Sequence, residues 1–208
     1  PFNTGLDLAI SDPAGLTYFN ANAAFNALHA LSGNSNFATA AYTTNARSHY
    51  VTLNMGVSRE QKIYKDWSVL FRANGQWADG PLISNEQFAM GGTMGVRGYR
   101  EGEVYGDSGW RVTVEPRTPL FNLHAVTHGG TAVPLLLRGS VFLDYGQIAA
   151  EPAAGFNHVL RFCGAGFGVT GQIENHLDAR FTVAWPMLRI NDITPGATRV
   201  YFGLGLQF

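Results

Sequence analysis

Apolar and polar positions alternate with period two along most of the chain, the pattern of strands with one apolar and one polar face. Between Tyr50 and Glu60, Val51, Leu53, Met55 and Val57 share one face, opposite Thr52, Asn54, Gly56, Ser58 and Glu60. From Trp67 to Ala78, Trp67, Val69, Phe71, Ala73 and Trp77 oppose Ser68, Arg72, Asn74 and Gln76, with Leu70 alone breaking the polar side. Thr17–Leu28, Leu177–Trp185 and the final Val200–Phe208 stretch read the same way. Such segments match the roughly 9–11 residues that a tilted strand needs to cross a bilayer. Turns are predicted at Asp12–Ala14, Ile63–Lys65 and Ile173–Asn175, and longer loops at about 29–48, 79–109, 148–158 and 188–196, with Asn122–Thr131 an intermediate link. Eight strands follow from about Gly15, and Asn3–Ser11 adds a ninth. Single-chain bacterial barrels usually close with an even number, so a partial barrel is the expectation. Pro116, inside the Arg111–Arg117 strand, removes a ladder hydrogen bond and predicts a bulge or an early strand end.

The polar face separates two architectures. A soluble sandwich would turn Lys and Glu outward; here that face is mostly Asn, Gly, Ser, Thr and Gln, opposite Phe, Trp, Val and Leu. A lipid-facing exterior around a wet lumen accounts for both faces. Trp67, Trp77, Trp110, Trp185, Tyr50 and Tyr64 fall near strand ends, as an interfacial aromatic girdle requires. Composition sharpens this: charged residues are 14% of 208, aromatics are 12%, and 25 glycines are present. No run of eighteen apolar residues occurs, which excludes a helical membrane protein. A net charge of −1 gives no general attraction to nucleic acid. The one cysteine, Cys163, excludes an internal disulfide framework. The chain opens Pro1-Phe2-Asn3 without initiator Met or basic leader, as a mature chain or a fragment would. The expected fold is all-β, an antiparallel transmembrane β-barrel occupying residues 1–208.

Residues 79–109 are the most informative stretch. Glu86-Gln87-Phe88 and Gly91-Gly92 precede Val96-Arg97-Gly98-Tyr99, and Gly106-Asp107 follows. One hairpin later comes Phe142-Leu143-Asp144-Tyr145-Gly146, a Phe-x-Asp-x-Gly pattern. With both motifs in this order, the chain resembles the outer-membrane transporters of two-partner secretion, of the haemolysin-activator and filamentous-haemagglutinin transporter type. These belong to a superfamily with the POTRA-bearing barrel-assembly proteins. The resemblance covers roughly residues 15–208 and implies the C-terminal half of a sixteen-stranded barrel, without the family's periplasmic domains or first barrel half. It implies export of a large exoprotein across the bacterial outer membrane without nucleotide hydrolysis, by a protein that is not an enzyme and uses no cofactor or metal. The implied partners are outer-membrane lipid, the secreted exoprotein and the outer-membrane assembly machinery. Phe208 matches the terminal aromatic presented to that machinery.

Strand parity adds a physical reading of the motifs. On Leu135–Gly146, Arg138, Ser140, Phe142 and Asp144 share the luminal side; on Arg111–Arg117, Arg111, Thr113, Glu115 and Arg117 do. A loop carrying Arg97 between glycines has the reach to fold back into the lumen and meet Asp144 and Glu115. Arginine suits this role, because its planar fork holds a carboxylate bidentately and stays charged. Gly91, Gly92, Gly95, Gly98 and Gly102 permit the tight reversal of a tip. The plain alternative is a solvated loop-tip arginine.

Other patterns carry less. Gly106-Asp107-Ser108-Gly109 mimics a serine-protease nucleophile segment but lacks a matching histidine segment, and Trp110 follows it. His124 and His128, four apart in a predicted turn, lack the intervening Glu of a helical metal motif. Gly164-x-Gly166-x-Gly168 has the wrong spacing and no following helix for a dinucleotide loop; small residues beside a folded-in loop explain it more simply. The functions to weigh are an outer-membrane translocation pore, an insertase of the same superfamily, a small passive barrel and a soluble binding barrel.

Overall fold

The computed structural model describes residues 2–26, 49–128, 131–150, 158–173 and 177–206. Among these, alternation becomes antiparallel sheet almost throughout. The strands are β1 (Phe2–Asp12), β2 (Gly15–Phe25), β3 (Val51–Tyr64), β4 (Trp67–Ala78), β5 (Phe88–Met90), β6 (Val104–Gly106), β7 (Ser108–Arg117), β8 (Phe121–His128), β9 (Thr131–Ala150), β10 (His158–Ile173), β11 (Leu177–Pro186) and β12 (Arg199–Leu206). Ten of them form one sheet in the order β1-β2-β3-β4-β7-β9-β10-β11-β12, with β8 also paired to β9; β5 and β6 make a separate hairpin.

The sheet curls so that Asp7 of β1 and Tyr201 of β12 line one cavity, yet β1 and β12 are not paired with each other among the described residues. The barrel is therefore partial. Outward positions expose a continuous apolar band, including Leu8, Phe19, Met55, Phe71, Val141 and Phe202. A water-soluble monomer rarely carries such a band, whereas lipid satisfies it. Trp67 and Tyr64 sit at the end of the short turns; Trp77, Trp110 and Trp185 sit at the end of the long loops. Tyr50 leaves the expected girdle: it precedes β3 and is buried.

One expectation about connections changes. The link predicted over Asn122–Thr131 is mostly strand, because Phe121–His128 runs collinear with β7 and pairs with the first part of β9. His124 and His128 thus lie on a strand and not in a turn. Pro116 keeps the register at its own position, and the expected strand end follows one residue later, at Arg117. Toward β4 the pairing continues through Val69↔Pro116, and toward β9 only the pairs at Glu115 and Pro116 are missing. Thr118 restores the ladder by donating its N–H to the Gly139 carbonyl at 2.9 Å. The register then moves by one residue between Arg117↔Ser140 and Phe121↔Leu137, and again at His124/Val126. The turns meanwhile fall at Pro13–Ala14 and Lys65–Asp66, while most of the turn predicted at Ile173–Asn175, the whole 29–48 loop and most of the 148–158 loop lie outside the described residues.

Candidate functional site: a loop clasped inside the sheet

Residues 79–107 leave β4 at the long-loop end and turn back onto the inner face. The stem is organised by buried Asp107, whose carboxylate accepts from the Leu82 backbone N–H at 2.9 Å and from Gln87 Nε2 at 3.1 Å. Gln76 of β4 reaches up to the carbonyls of Glu86 (2.8 Å) and Asp107 (3.1 Å). The β5–β6 hairpin then carries the tip, residues 91–103, against β9, β10 and the last loop. Met90, Val96 and Tyr99 pack with Ile148 of β9, Phe162 of β10, and Ile190 and Ile193. This buried apolar cluster makes docking of the tip favourable by burial.

Arg97 lies at the centre. Its Nε and Nη2 donate to Asp144 Oδ2 and Oδ1 at 2.7 and 2.8 Å, and its backbone N–H donates to the same Oδ2 at 3.0 Å. Nη1 donates to Glu115 Oε2 at 2.7 Å. The guanidinium also stacks over Phe142, its central carbon 3.3 Å from the ring centroid. Each member of the Phe-x-Asp-x-Gly pattern therefore meets the loop: Phe142 carries the cation's face, Asp144 its edge, and Gly146 lies under the Met90 thioether. A planar cation with donors along its rim fits this arrangement, and a lysine does not.

The pair is one part of a longer chain of charges. Glu115 accepts from Arg117 Nε at 3.0 Å, Arg117 Nη1 reaches Glu60 at 3.0 Å, and Glu60 pairs with Arg138 at 2.9 Å. Signs alternate from Arg138 through Glu60, Arg117, Glu115 and Arg97 to Asp144. Every carboxylate in this ladder has a cation, as desolvated charges require.

Shape works with charge. The Arg97 carbonyl lies where a side chain on Gly164 would begin, so the wall must be bare at that position. Gly98 has φ 101° and lies against the Trp185–Pro186 backbone, which excludes a side chain on both counts.

Tyr201, Arg100, Asn191 and Asp192 also hold the tip, and neither strand parity nor motif spacing points to them. Tyr201 of β12 accepts the Gly98 N–H at 3.0 Å and donates to the Tyr99 carbonyl at 2.7 Å, so one phenol satisfies two backbone groups of the tip. Tyr99 is fully buried, edge-on to Phe162 at 4.9 Å, with its hydroxyl between the Leu188 (2.9 Å) and Cys163 (3.0 Å) carbonyls. Burial pushes the Tyr99 phenol up from its ordinary pKa, so it stays a donor. Beyond the tip, Arg100 grips Asp192 with Nη1 and Nη2 at 2.7 and 2.6 Å, and Asn191 Nδ2 donates to Glu103 at 2.9 Å. The loop bearing Asn191 and Asp192 is closed by the Ile190↔Ile193 bridge. Of the residues singled out from sequence, the structure brings together Val96, Arg97, Gly98, Tyr99, Glu115, Phe142, Asp144 and Gly146. Phe208 lies outside the described residues.

Comparisons with known proteins fit this geometry. Residues 2–171 match the family model for the haemolysin secretion/activation protein ShlB/FhaC/HecB. The heme/hemopexin transporter protein HuxB of Haemophilus influenzae strain 86-028NP is 31% identical over 134 residues, which is 64% of this chain and 22% of HuxB. HuxB from the Rd strain is 30% identical over 137 residues, again covering 22% of that protein. CdiB from Escherichia coli superposes over 98% of this chain and 36% of its own, with TM-score 0.71 and 18% identity, a likeness of fold. The chain spans about a fifth of the length of the curated relatives it matches.

Proposed function

Because the chain belongs to the ShlB/FhaC/HecB family of haemolysin secretion/activation proteins, transporters of two-partner secretion, we propose that it forms wall and plug of an outer-membrane pore exporting a large exoprotein. In this reading residues 1–208 are barrel, the apolar band faces lipid, and the loop at about 79–109 enters from the extracellular side. The loop occupies the lumen at rest, and Arg97 is the latch that holds it. Export proceeds without nucleotide hydrolysis, driven by the exoprotein folding outside. Newly made chain reaches the membrane through the outer-membrane assembly machinery, for which Phe208 is the terminal signal.

The observation that carries the proposal is the clasp itself. A buried guanidinium held by two carboxylates on two strands, with a bare glycine wall behind it, fixes a loop across the lumen. A solvated loop tip would need neither luminal carboxylates nor glycines.

The test compares Arg97→Ala and Asp144→Ala with wild type in the full-length protein, scoring exoprotein released and folded barrel in the membrane. Secretion falls more than insertion if the loop is part of the transport cycle. Equal loss of both assigns Arg97 a structural role only. Planar-bilayer conductance gives a second view: small flickering currents in wild type should grow when Arg97 is removed.

A further inference from the structure

Beneath the docked tip the lumen opens into a cavity of about 1110 Å³, lined from β1 round to β12. Its charged lining is six arginines, Arg72, Arg97, Arg111, Arg117, Arg138 and Arg180, with no lysine, against Asp7, Glu115 and Asp178. Arg97, Arg117 and Arg138 belong to the ladder and are matched there by Asp144, Glu115 and Glu60. The other three are not matched. Among the described residues neither Arg72 nor Arg180 forms a salt bridge or a side-chain hydrogen bond, and Arg111 makes one contact with the Ala89 carbonyl at 3.2 Å while facing the Phe88 ring. Arg72 lies within electrostatic reach of Glu115 and of Arg117, Arg97 and Arg180, and Arg111 within reach of Arg72 and Asp144, but both carboxylates are already paired to Arg97 in the ladder.

Mutual repulsion in a confined lumen is a cost that Gln or Asn at these positions would avoid, with equal wetting and hydrogen bonding. Like charges set around a shared cavity are relieved when an anion enters it. Guanidinium groups also select the anion's shape, since their forked donors fit carboxylates two bonds at a time. Arg72 and Arg111 stand on the paired strands β4 and β7, and Arg180 on β11, three strands further round, so the groups face the cavity from two parts of the wall. We propose that this part of the lumen is a carboxylate-binding track, engaging Asp and Glu side chains of the extended polypeptide in transit through Arg72, Arg111 and Arg180. The inference rests on the pore reading and adds to it the chemistry of the segment that passes.

The test uses full-length protein carrying Arg97→Ala, in a planar bilayer under a potassium chloride gradient. The reversal potential should favour chloride, and hexaglutamate should block the current where hexalysine does not. Adding Arg72→Gln and Arg180→Gln should shift the reversal potential toward potassium and weaken hexaglutamate block about tenfold, equivalent to about 1.4 kcal/mol. Cation preference, or equal block by both peptides, overturns the track while leaving the pore intact. If no current flows in any variant, the pore reading fails instead. Calorimetric titration of hexaglutamate into the detergent-solubilised protein then decides the track alone: binding that the double substitution weakens supports it, and no heat overturns it.

Discussion

The tip of the loop is held at two places by the same chemistry in opposite surroundings. Arg97 and Arg100, three residues apart, each grip an aspartate with two short hydrogen bonds. The side chains of Arg97 and Asp144 are 15% and 1% exposed; those of Arg100 and Asp192 are 50% and 66% exposed. Bond lengths do not distinguish the two pairs, so geometry alone would rank them equal. Solvent separates them. Water screens the outer pair and replaces each partner at little cost. Nothing replaces Arg97 beside Asp144, and a buried charge left alone is expensive. The inner contact therefore decides whether the loop is docked, and the outer one trims its edge.

Breaking the inner contact should have the largest effect. Arg97→Ala should undock the tip at a cost of about 3–5 kcal/mol, the range for orphaning one member of a buried ion pair. Release of exoprotein should fall at least about tenfold, given that about 1.4 kcal/mol makes a factor of ten, while the barrel remains heat-modifiable on gels. A result in which Arg100→Ala matched it would overturn the ranking. Gly164→Val comes next and leaves every charge in place. The new side chain occupies the space of the Arg97 carbonyl, so the tip should be expelled as in Arg97→Ala, scored by protease cleavage within residues 91–103. Retained protection would mean that the wall yields there.

Tyr201→Phe is smaller. It removes one hydroxyl and leaves the Gly98 N–H and Tyr99 carbonyl unserved, which should weaken docking by about 1–3 kcal/mol. More frequent channel openings without loss of folded barrel would show it. The outer contact should respond least, and to acid. The Arg100 guanidinium holds the Asp192 carboxyl below its ordinary value of 3.8. A depressed folded value means that this contact contributes fully above the unfolded value and is lost as pH falls through the folded one. Cleavage of the loop should rise slightly below pH 3.8, and Arg100→Gln should abolish that rise while leaving secretion unchanged. A large acid response that survives Arg100→Gln would place the titrating group elsewhere.

The two contacts also differ in how far sequence reaches them. Asp144 and Glu115 could be placed in the lumen by counting parity along uninterrupted strands, and Arg97 stands in a motif. Asp192 and Tyr201 offer no such handle. Tyr201 alternates correctly but carries no charge, and its targets are backbone atoms about a hundred residues upstream. Asp192 lies in a loop with no periodicity to aim it. In the sequence β8 reads as a link and not a strand, because the register moves before Phe121 and again at His124/Val126, and each one-residue shift exchanges the two faces. Pro116 marks the break closely, since β7 ends one residue later and the register moves before Phe121. Its missing donor is absorbed by two unmade pairs on one side, and Thr118 resumes the ladder before the register moves.

The alternating ladder has one further consequence. When Arg97 departs, Glu115 keeps Arg117, and Glu60 keeps both Arg117 and Arg138. Asp144 alone loses its ion-pair partner among the described residues. Viewed as a two-state equilibrium, the resting open probability of the proposed channel is thus set mainly at one carboxylate. Each 1.4 kcal/mol or so added or removed there moves that probability tenfold. Substitutions at Asp144 should consequently behave as a dial on gating, whereas substitutions at Glu115 are buffered by the neighbour it retains.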